Sequence, residues 1–330
     1  LALYTVPSLD DSFAGVSSLN VTTSPHTVLG QQTVVAGVDR SGFRTDALGV
    51  AVPSGPYRVA SASTIAYALA TNDPISAHRS GVLAPPVFAV VPIFASLNAA
   101  LLAVAPERLL GRLVHGEQEF RFIRPIMPGE TLTGTCVPIG VHRRRSGTAV
   151  TIQAQVVDAA GAPVNNQWMT AFFRADGGAD ELGTDGEVGV AAPPHRFPEE
   201  IRPQQPVAWV TQHVEADQAI RYAAASGDQN PIHLDDALAK TVGLPGAILH
   251  GLCTMAFNSH ALIGSLAAGD PRTLRRLAVR FSRPVLPGQD ITTRVWRVRR
   301  AGRAVCYAYE STDASGDLVI KDGWAELGPA

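Results

Sequence analysis

The order of landmarks in this chain occurs twice. "IAYALATND" at 65–73 is answered by "IRYAAASGD" at 220–228, and "FRFIRPIMPGETL" at 120–132 by "VRFSRPVLPGQDI" at 279–291. Farther on, "RRRSGTAV" at 143–150 pairs with "RRAGRAV" at 299–305, "VVDAAG" at 156–161 with "STDASG" at 311–316, and Trp168 with Trp324. The separation stays between 155 and 159 residues, the size of a domain and not of a solenoid unit, so the 330 residues hold two copies of one fold. The first copy is expected within 1–174 and the second within 207–330. Residues 1–50 match no recognised pattern and read as an added strand or arm. Between the copies, residues 175–206 are rich in Gly, Asp, Glu and Pro and have no apolar period, which predicts a solvated linker.

Within each copy a helical "YA-x-A" segment leads into a Gly/Asp/Pro loop, a long apolar stretch and several runs of strand-like alternation. "AVTIQAQVVDAAG" and "AVCYAYESTDASG" carry an apolar residue at every second position and end in a glycine-bearing turn, as half-buried antiparallel strands do. One central helix against a curved antiparallel sheet is the expected unit, an α+β fold. The apolar stretch of the first copy, inside 27 uncharged residues from Ser80 to Pro106, is interrupted by Pro85, Pro86, Pro92 and Asn98. It therefore reads as a buried helix with a broken start, not as a membrane span.

A formal net charge of -2, with no basic run beyond Arg143, Arg144 and Arg145, offers no electrostatic footprint for nucleic acid. Cys136, Cys253 and Cys306 are odd in number, far apart and without ligand spacing, which argues against a disulfide framework or a zinc site. A cytoplasmic setting is expected, and no secretory signal is visible in "LALYTVPSLDD".

The chemistry concentrates in "SGDQNPIHLDD", residues 226–236. Gly, Asp, Asn and Pro are common turn formers, so turn chemistry alone leaves a plain turn and a catalytic loop both open. Pro231 ends the preceding helix and drives Asn230 into an extended conformation, which sets Asp228 and His233 on opposite sides of a short bend. Asp235 and Asp236 then stand where a short helix begins and carboxylates favour its N-terminus. Farther along, "GAILHGLCTMAFNSHALIG" has the period of an apolar helix, the central helix of the second copy.

The element order, the duplication and the stretch "YAAASGDQNPIHLDDALAKTVGLPGAILHGLCTMAF" together resemble the MaoC-like hydratases, the (R)-specific enoyl-CoA hydratase 2 group, in its double hot-dog form. The resemblance covers about 55–330. It implies two tandem hot-dog units packed as a pseudo-dimer. It also implies a hydro-lyase acting on 2-enoyl or (3R)-hydroxyacyl thioesters of CoA or a carrier protein, in fatty acid or polyketide metabolism, with no metal and no organic cofactor. Self-association as a homodimer is compatible with this, and neither nucleic acid nor membrane is an expected partner.

Hydration of a 2-enoyl thioester needs a water deprotonated as it attacks C3, a proton delivered to C2, and stabilisation of an enolate oxygen. By resemblance, Asp228 and His233 are the acid/base pair, and the sequence leaves open which gives and which takes. Asn230 cannot titrate, so it is assigned to orienting the aspartate or the water. The oxyanion donor falls on Gly251, at a helix start whose first N–H groups lack partners. His250 is left between lining the site and fixing the helix start. Arg280 and Arg283 are candidates for the carrier's phosphates, against the alternative that strand charges face solvent.

The first copy reads "YALATNDPISAHRSG" at the matching loop. Asp73 stands opposite Asp228, and the expectation is that His78 is displaced and nothing occupies the place of His233. One active site per chain follows, with the first copy a degenerate partner that accommodates the acyl chain. A hot-dog thioesterase and a non-catalytic acyl-binding protein are the competing functions. Against the first, neither 87–104 nor 251–263 carries the Asp or Glu that many hot-dog thioesterases place on the central helix; against the second stands the intact D-x-N-P-x-H loop.

Overall fold

The computed structural model describes residues 42–174 and 183–330. In the first copy, β1 (Val52–Pro53), β2 (Tyr57–Arg58), α1 (Ser61–Ala70) and α2 (Ser76–Arg79) precede a 3-10 segment at Pro86–Ile93 that runs into α3 (Phe94–Val104). Strands β3 (Leu113–Phe122), β4 (Thr131–Arg144), β5 (Gly147–Asp158) and β6 (Pro163–Arg174) complete it, and β7 (Gly183–Glu187) follows. The second copy repeats the scheme with β8 (Ala208–His213), α4 (Gln218–Ser226), α5 (Asp236–Thr241) and α6 (Gly251–Leu266). It ends with β9 (Leu274–Phe281), β10 (Asp290–Ala301), β11 (Ala304–Asp313) and β12 (Leu318–Leu327).

The strands form one antiparallel sheet in the order β1-β4-β5-β6-β3-β9-β12-β11-β10-β8, with β2 and β7 also paired to β4. Read outward from the middle, the two halves have the same order, so the duplication in sequence becomes a pseudo-twofold in space. The seam is β3 against β9, with Glu117 opposite Arg280 and Arg121 opposite Arg276. Pairing the two half-sheets removes an edge that each would otherwise leave open. A second marker of the axis is the hydrogen bond between the hydroxyls of Tyr67 and Tyr222, 3.0 Å, between corresponding residues of α1 and α4. The seam also buries an ion pair: the Arg276 guanidinium donates twice to Glu119, both bonds 2.8 Å.

Residues 86–104 are apolar and long enough to cross a bilayer by length and composition. In this fold they are the first copy's central helix, with α3 packed on β4 and β5 and the 3-10 segment against α6. Their start is a 3-10 segment with Pro86 at its first position and Pro92 inside it, the broken helix start that the prolines led one to expect.

Two expectations about connecting segments change. Of the expected arm at 1–50, residues 1–41 lie outside the described residues. Phe43, however, is fully buried and meets Phe173 edge-on at 5.3 Å, so the end of that stretch belongs to the core. Of the expected linker, 175–182 lie outside the described residues, while 187–206 are largely exposed, as a solvated linker should be, but the segment is anchored to the sheet. Strand β7 pairs with β4, Trp168 donates its indole N–H to the Val190 carbonyl, and Phe197 and Ile201 are buried beside Trp296 and Trp324. Two isolated apolar residues leave no period in a sequence, yet both are buried in a small cluster with Trp296 and Trp324.

Candidate active site

Helix α4 ends at Ser226, and Gly227 follows with φ +81°, ψ 0°, a left-handed cap that glycine adopts without a Cβ penalty. Asn230 adopts φ -58°, ψ 122°, the extended form a following proline favours, and Pro231 opens a single 3-10 turn, Pro231–His233. The bend brings both ends of the loop to the start of α6. Asp235 caps α5 by accepting from the Leu238 amide, and Asp236 pairs with Lys240 and accepts from the Ala247 amide, so both acidic residues are engaged away from the chemistry.

Asp228 and His233 are held separately. The Asn230 backbone N–H donates to the Asp228 carboxylate, 3.1 Å, and the Asn230 side-chain oxygen accepts from Ile232 N–H. Asn230 thus orients the aspartate through its backbone, while its carboxamide caps the turn. His233 donates Nδ1–H to the Ile248 carbonyl, 2.9 Å, which leaves Nε2 as the lone-pair nitrogen. Burial pushes the Asp228 carboxyl up, opposed by His233, and pushes the imidazole down, opposed by Asp228. Each therefore sits nearer the point where a proton can pass.

His250, the residue before α6, joins them. Its Nε2–H donates to the Asp228 backbone carbonyl, 3.0 Å, and its ring stacks on His233 with centroids 3.7 Å apart and planes 26° from parallel. Burial, and then His233, hold it neutral with a pKa lowered to about 3. One donor atom each of Asp228, His233 and His250 lies within 4.8 Å of the others, so ligating types do meet where the sequence offered no ligand set. Metal coordination uses the lone pair in the ring plane, however, and two stacked rings direct theirs along nearly parallel planes. The arrangement suits a small molecule with several hydrogen-bonding directions, such as water, better than an ion that both nitrogens must face.

Gly251 is the first residue of α6, where backbone N–H groups lack intrahelical acceptors and the helix dipole is positive. A Cβ there would lie 3.0 Å from the Phe281 ring, so the absence of a side chain lets that ring pack against the start of the helix. Phe281 in turn touches His115 of β3, ring centroids 4.7 Å apart. His115 bonds to Gln118 at 3.1 Å, and burial lowers its pKa to about 4, with His233 adding to the shift. The first copy therefore brings a histidine near His233 across the seam. Sequence reasoning missed it, although one signal existed: the register that aligns the copies sets His115 against Leu274.

Arg280 and Arg283 are both occupied by carboxylates. Arg280 lies 3.6 Å from Glu117 and from Asp322, and Arg283 lies 3.0 Å from Asp317.

The first copy requires a correction. His78 is not displaced: it follows Asp73 by five residues, as His233 follows Asp228, and the offset between the copies is the same for both residues. His78 Nδ1–H donates to Asp73 Oδ2 at 2.7 Å, Ile75 N–H donates to Oδ1 at 2.8 Å, and both side chains are buried. Burial raises the Asp73 pKa, but the hydrogen bond from His78 and the nearby His260 outweigh it and hold the carboxyl low. The pair is present and closed on itself.

Comparison with known proteins identifies the family of the chain. The sequence model of the MaoC like domain fits residues 199–314, and that of the MFE-2 hydratase 2 N-terminal domain fits residues 75–175. 3-hydroxyacyl-thioester dehydratase Y of Mycobacterium tuberculosis is 32% identical over 220 residues, 65% of this chain and 72% of that protein. The peroxisomal multifunctional enzyme type 2 of Drosophila melanogaster is 30% identical over 223 residues, 64% of this chain but only 36% of its own length. Among solved structures, a MaoC-like dehydratase from Phytophthora capsici superposes with a TM-score of 0.70 at 25% identity, covering 86% of this chain and 97% of the other.

Proposed function

From a chain that belongs to the MaoC-like dehydratase family, in its double hot-dog arrangement, we propose a hydro-lyase that adds water to trans-2-enoyl thioesters and removes it from (3R)-hydroxyacyl thioesters. The observation that carries this reading is the way Asp228 and His233 are anchored. Each is fixed by backbone groups, neither is consumed by the other, and both border the start of α6. A water between them loses one proton to the pair as its oxygen bonds to C3. The C2–C3 π electrons then move toward the thioester carbonyl, the enolate oxygen takes hydrogen bonding from the Gly251 amide, and the pair returns a proton to C2. Bonds and charge balance with no cofactor, and dehydration is the same path reversed. Water and C2 proton are delivered from one side, where Asp228 and His233 stand, which is the basis for assigning a single stereochemistry at C3.

The acyl carrier is CoA or a carrier protein, with Arg280 and Arg283 at the rim as phosphate partners if their carboxylates yield. The first copy is assigned the acyl chain. Three free, buried cysteines fit a reducing compartment, and the cytoplasm is the proposed location. The test is a steady-state assay on a panel of 2-enoyl and 3-hydroxyacyl thioesters on both carriers, with chiral analysis of the product and exhaustive chelation as a control. Hydration to the (3R) product, insensitive to chelation, is expected. Thioester hydrolysis alone, or activity lost on chelation and restored by one metal, overturns the reading.

A further inference from the structure

The two strands that meet at the seam are counterparts, and their register locates the pseudo-twofold. The alignment that sets 120–132 on 279–291 makes Glu117, Glu119 and Arg121 of β3 the equivalents of Arg276, Ala278 and Arg280 of β9. Glu119 lies directly opposite Ala278, so the axis passes through that pair, and Glu117 against Arg280 and Arg121 against Arg276 are its two flanks. Only one of the two axial residues is charged. The Glu119 side chain is 1% exposed, and that of Arg276, which donates to both its oxygens, is 7% exposed. Arg121 adds a bond to Glu119 at 3.1 Å, and Arg276 also donates to Glu326 at 3.3 Å and to the Pro193 carbonyl at 3.0 Å.

We propose that this asymmetric ion pair is a pairing code: the seam edge of each copy fits the other copy and rejects its own kind. Under the same twofold, two second copies would bring Ala278 against Ala278 and Arg276 of each against Arg280 of the other. Both Arg276 side chains would then be buried without Glu119. Glu326 belongs to the same copy and would follow Arg276, but its single bond at 3.3 Å does not replace a bidentate pair. Two first copies would bring Glu119 against Glu119 at a buried position, with only the half-exposed Arg121 of each to answer. Like charges directly opposite across strands repel, and a buried charge that loses its partner is strongly destabilising, whereas the mixed seam satisfies both. The inference goes beyond the reaction and constrains its setting. Phe281 at the end of β9 always meets His115 of a first copy, never the equivalent Leu274 of another second copy.

A protease site placed within 175–182 allows the folded chain to be cut between the copies, unfolded in urea and refolded as a mixture, with the pairs identified by native mass spectrometry. Mixed pairs are expected to outnumber self-pairs of either half by about tenfold or more. In the cut double variant Glu119→Gln/Arg276→Met, which has lost the code, the self-paired fraction is expected to rise about fivefold or more. Self-pairs in statistical proportion in the wild type, or a self-paired fraction unchanged in the double variant, overturn the proposal. The uncut chain gives a reading that needs no reassembly. There Glu119→Gln and Arg276→Met should each lower the urea midpoint, and the double variant should be no less stable than the worse single one, since no charge is then left alone. Wild-type midpoints in both single variants also overturn the proposal.

Discussion

The loops around Asp73–His78 and Asp228–His233 have the same two residues at the same spacing, related by the same offset, and they use their hydrogen bonds differently. His233 donates Nδ1–H to a backbone carbonyl, so its Nε2 and the Asp228 carboxylate remain available to a third party. His78 donates the equivalent hydrogen to Asp73 itself, and the carboxylate's other oxygen is taken by Ile75. A pair that satisfies itself has no proton vacancy to offer and no room for water between its members. What separates a catalytic dyad from a structural one here is where a single imidazole hydrogen goes.

The comparison breaks most sharply at the second copy. Asp228→Asn and His233→Gln preserve shape and remove the proton relay, so each is expected to lower kcat by about a hundredfold or more. Since both act on one water, the double variant should be little worse than either single one. Tolerance of Asp228→Asn, measured as kcat on a short enoyl thioester, would move the chemistry elsewhere.

At the first copy the effect should appear in stability. In Asp73→Asn the new amide faces His78 Nδ1, the ring must accept, and its hydrogen moves to Nε2, which is buried without a partner. A loss of about 1–3 kcal/mol in urea unfolding is expected, with kcat within about threefold of wild type. Abolished turnover in a folded Asp73→Asn protein would mean that the closed pair opens and works.

Acid should act on both loops through buried neutral histidines. His115, His250 and His260 have pKa values lowered by burial, to about 4, about 3 and about 4. As pH falls below about 6.5 the unfolded chain gains protons that the folded chain refuses, so stability is full above that value and declines toward pH 4. Each such histidine contributes at most about 1.4 kcal/mol per pH unit. In urea melts between pH 7 and 5, His260→Gln should reduce the slope by up to one proton; an unchanged slope would mean that His260 is charged in the fold.

The smallest effect is expected at the rim. The Arg283–Asp317 pair is half exposed, and Arg283→Ala should change stability by less than about 0.5 kcal/mol. If Arg283 meets the carrier's phosphates, KM for a CoA thioester rises a few-fold with kcat unchanged; an unchanged KM removes it from the carrier site.

What the sequence determined by itself is local or periodic. The duplication, the alternation of the strands, the apolar central helices and the bend made by Gly227 and Pro231 depend on chain stereochemistry and on residues a few positions apart. They are legible in the sequence, and together with the loop motif they carry the resemblance that implies the double hot-dog architecture. The tertiary structure decided the rest: that His78 turns onto Asp73, that His250 stacks on His233, that His115 meets Phe281 across the β3–β9 seam, and that Phe197 and Ile201 are buried beside Trp296 and Trp324. Three of these depend on which partner a side chain meets when distant segments pack. The closed Asp73–His78 pair is local, and the residues between its members, Pro-Ile-Ser-Ala against Gln-Asn-Pro-Ile in the second copy, fold differently, so an aspartate and a histidine at a given spacing do not by themselves specify whether they bond to each other.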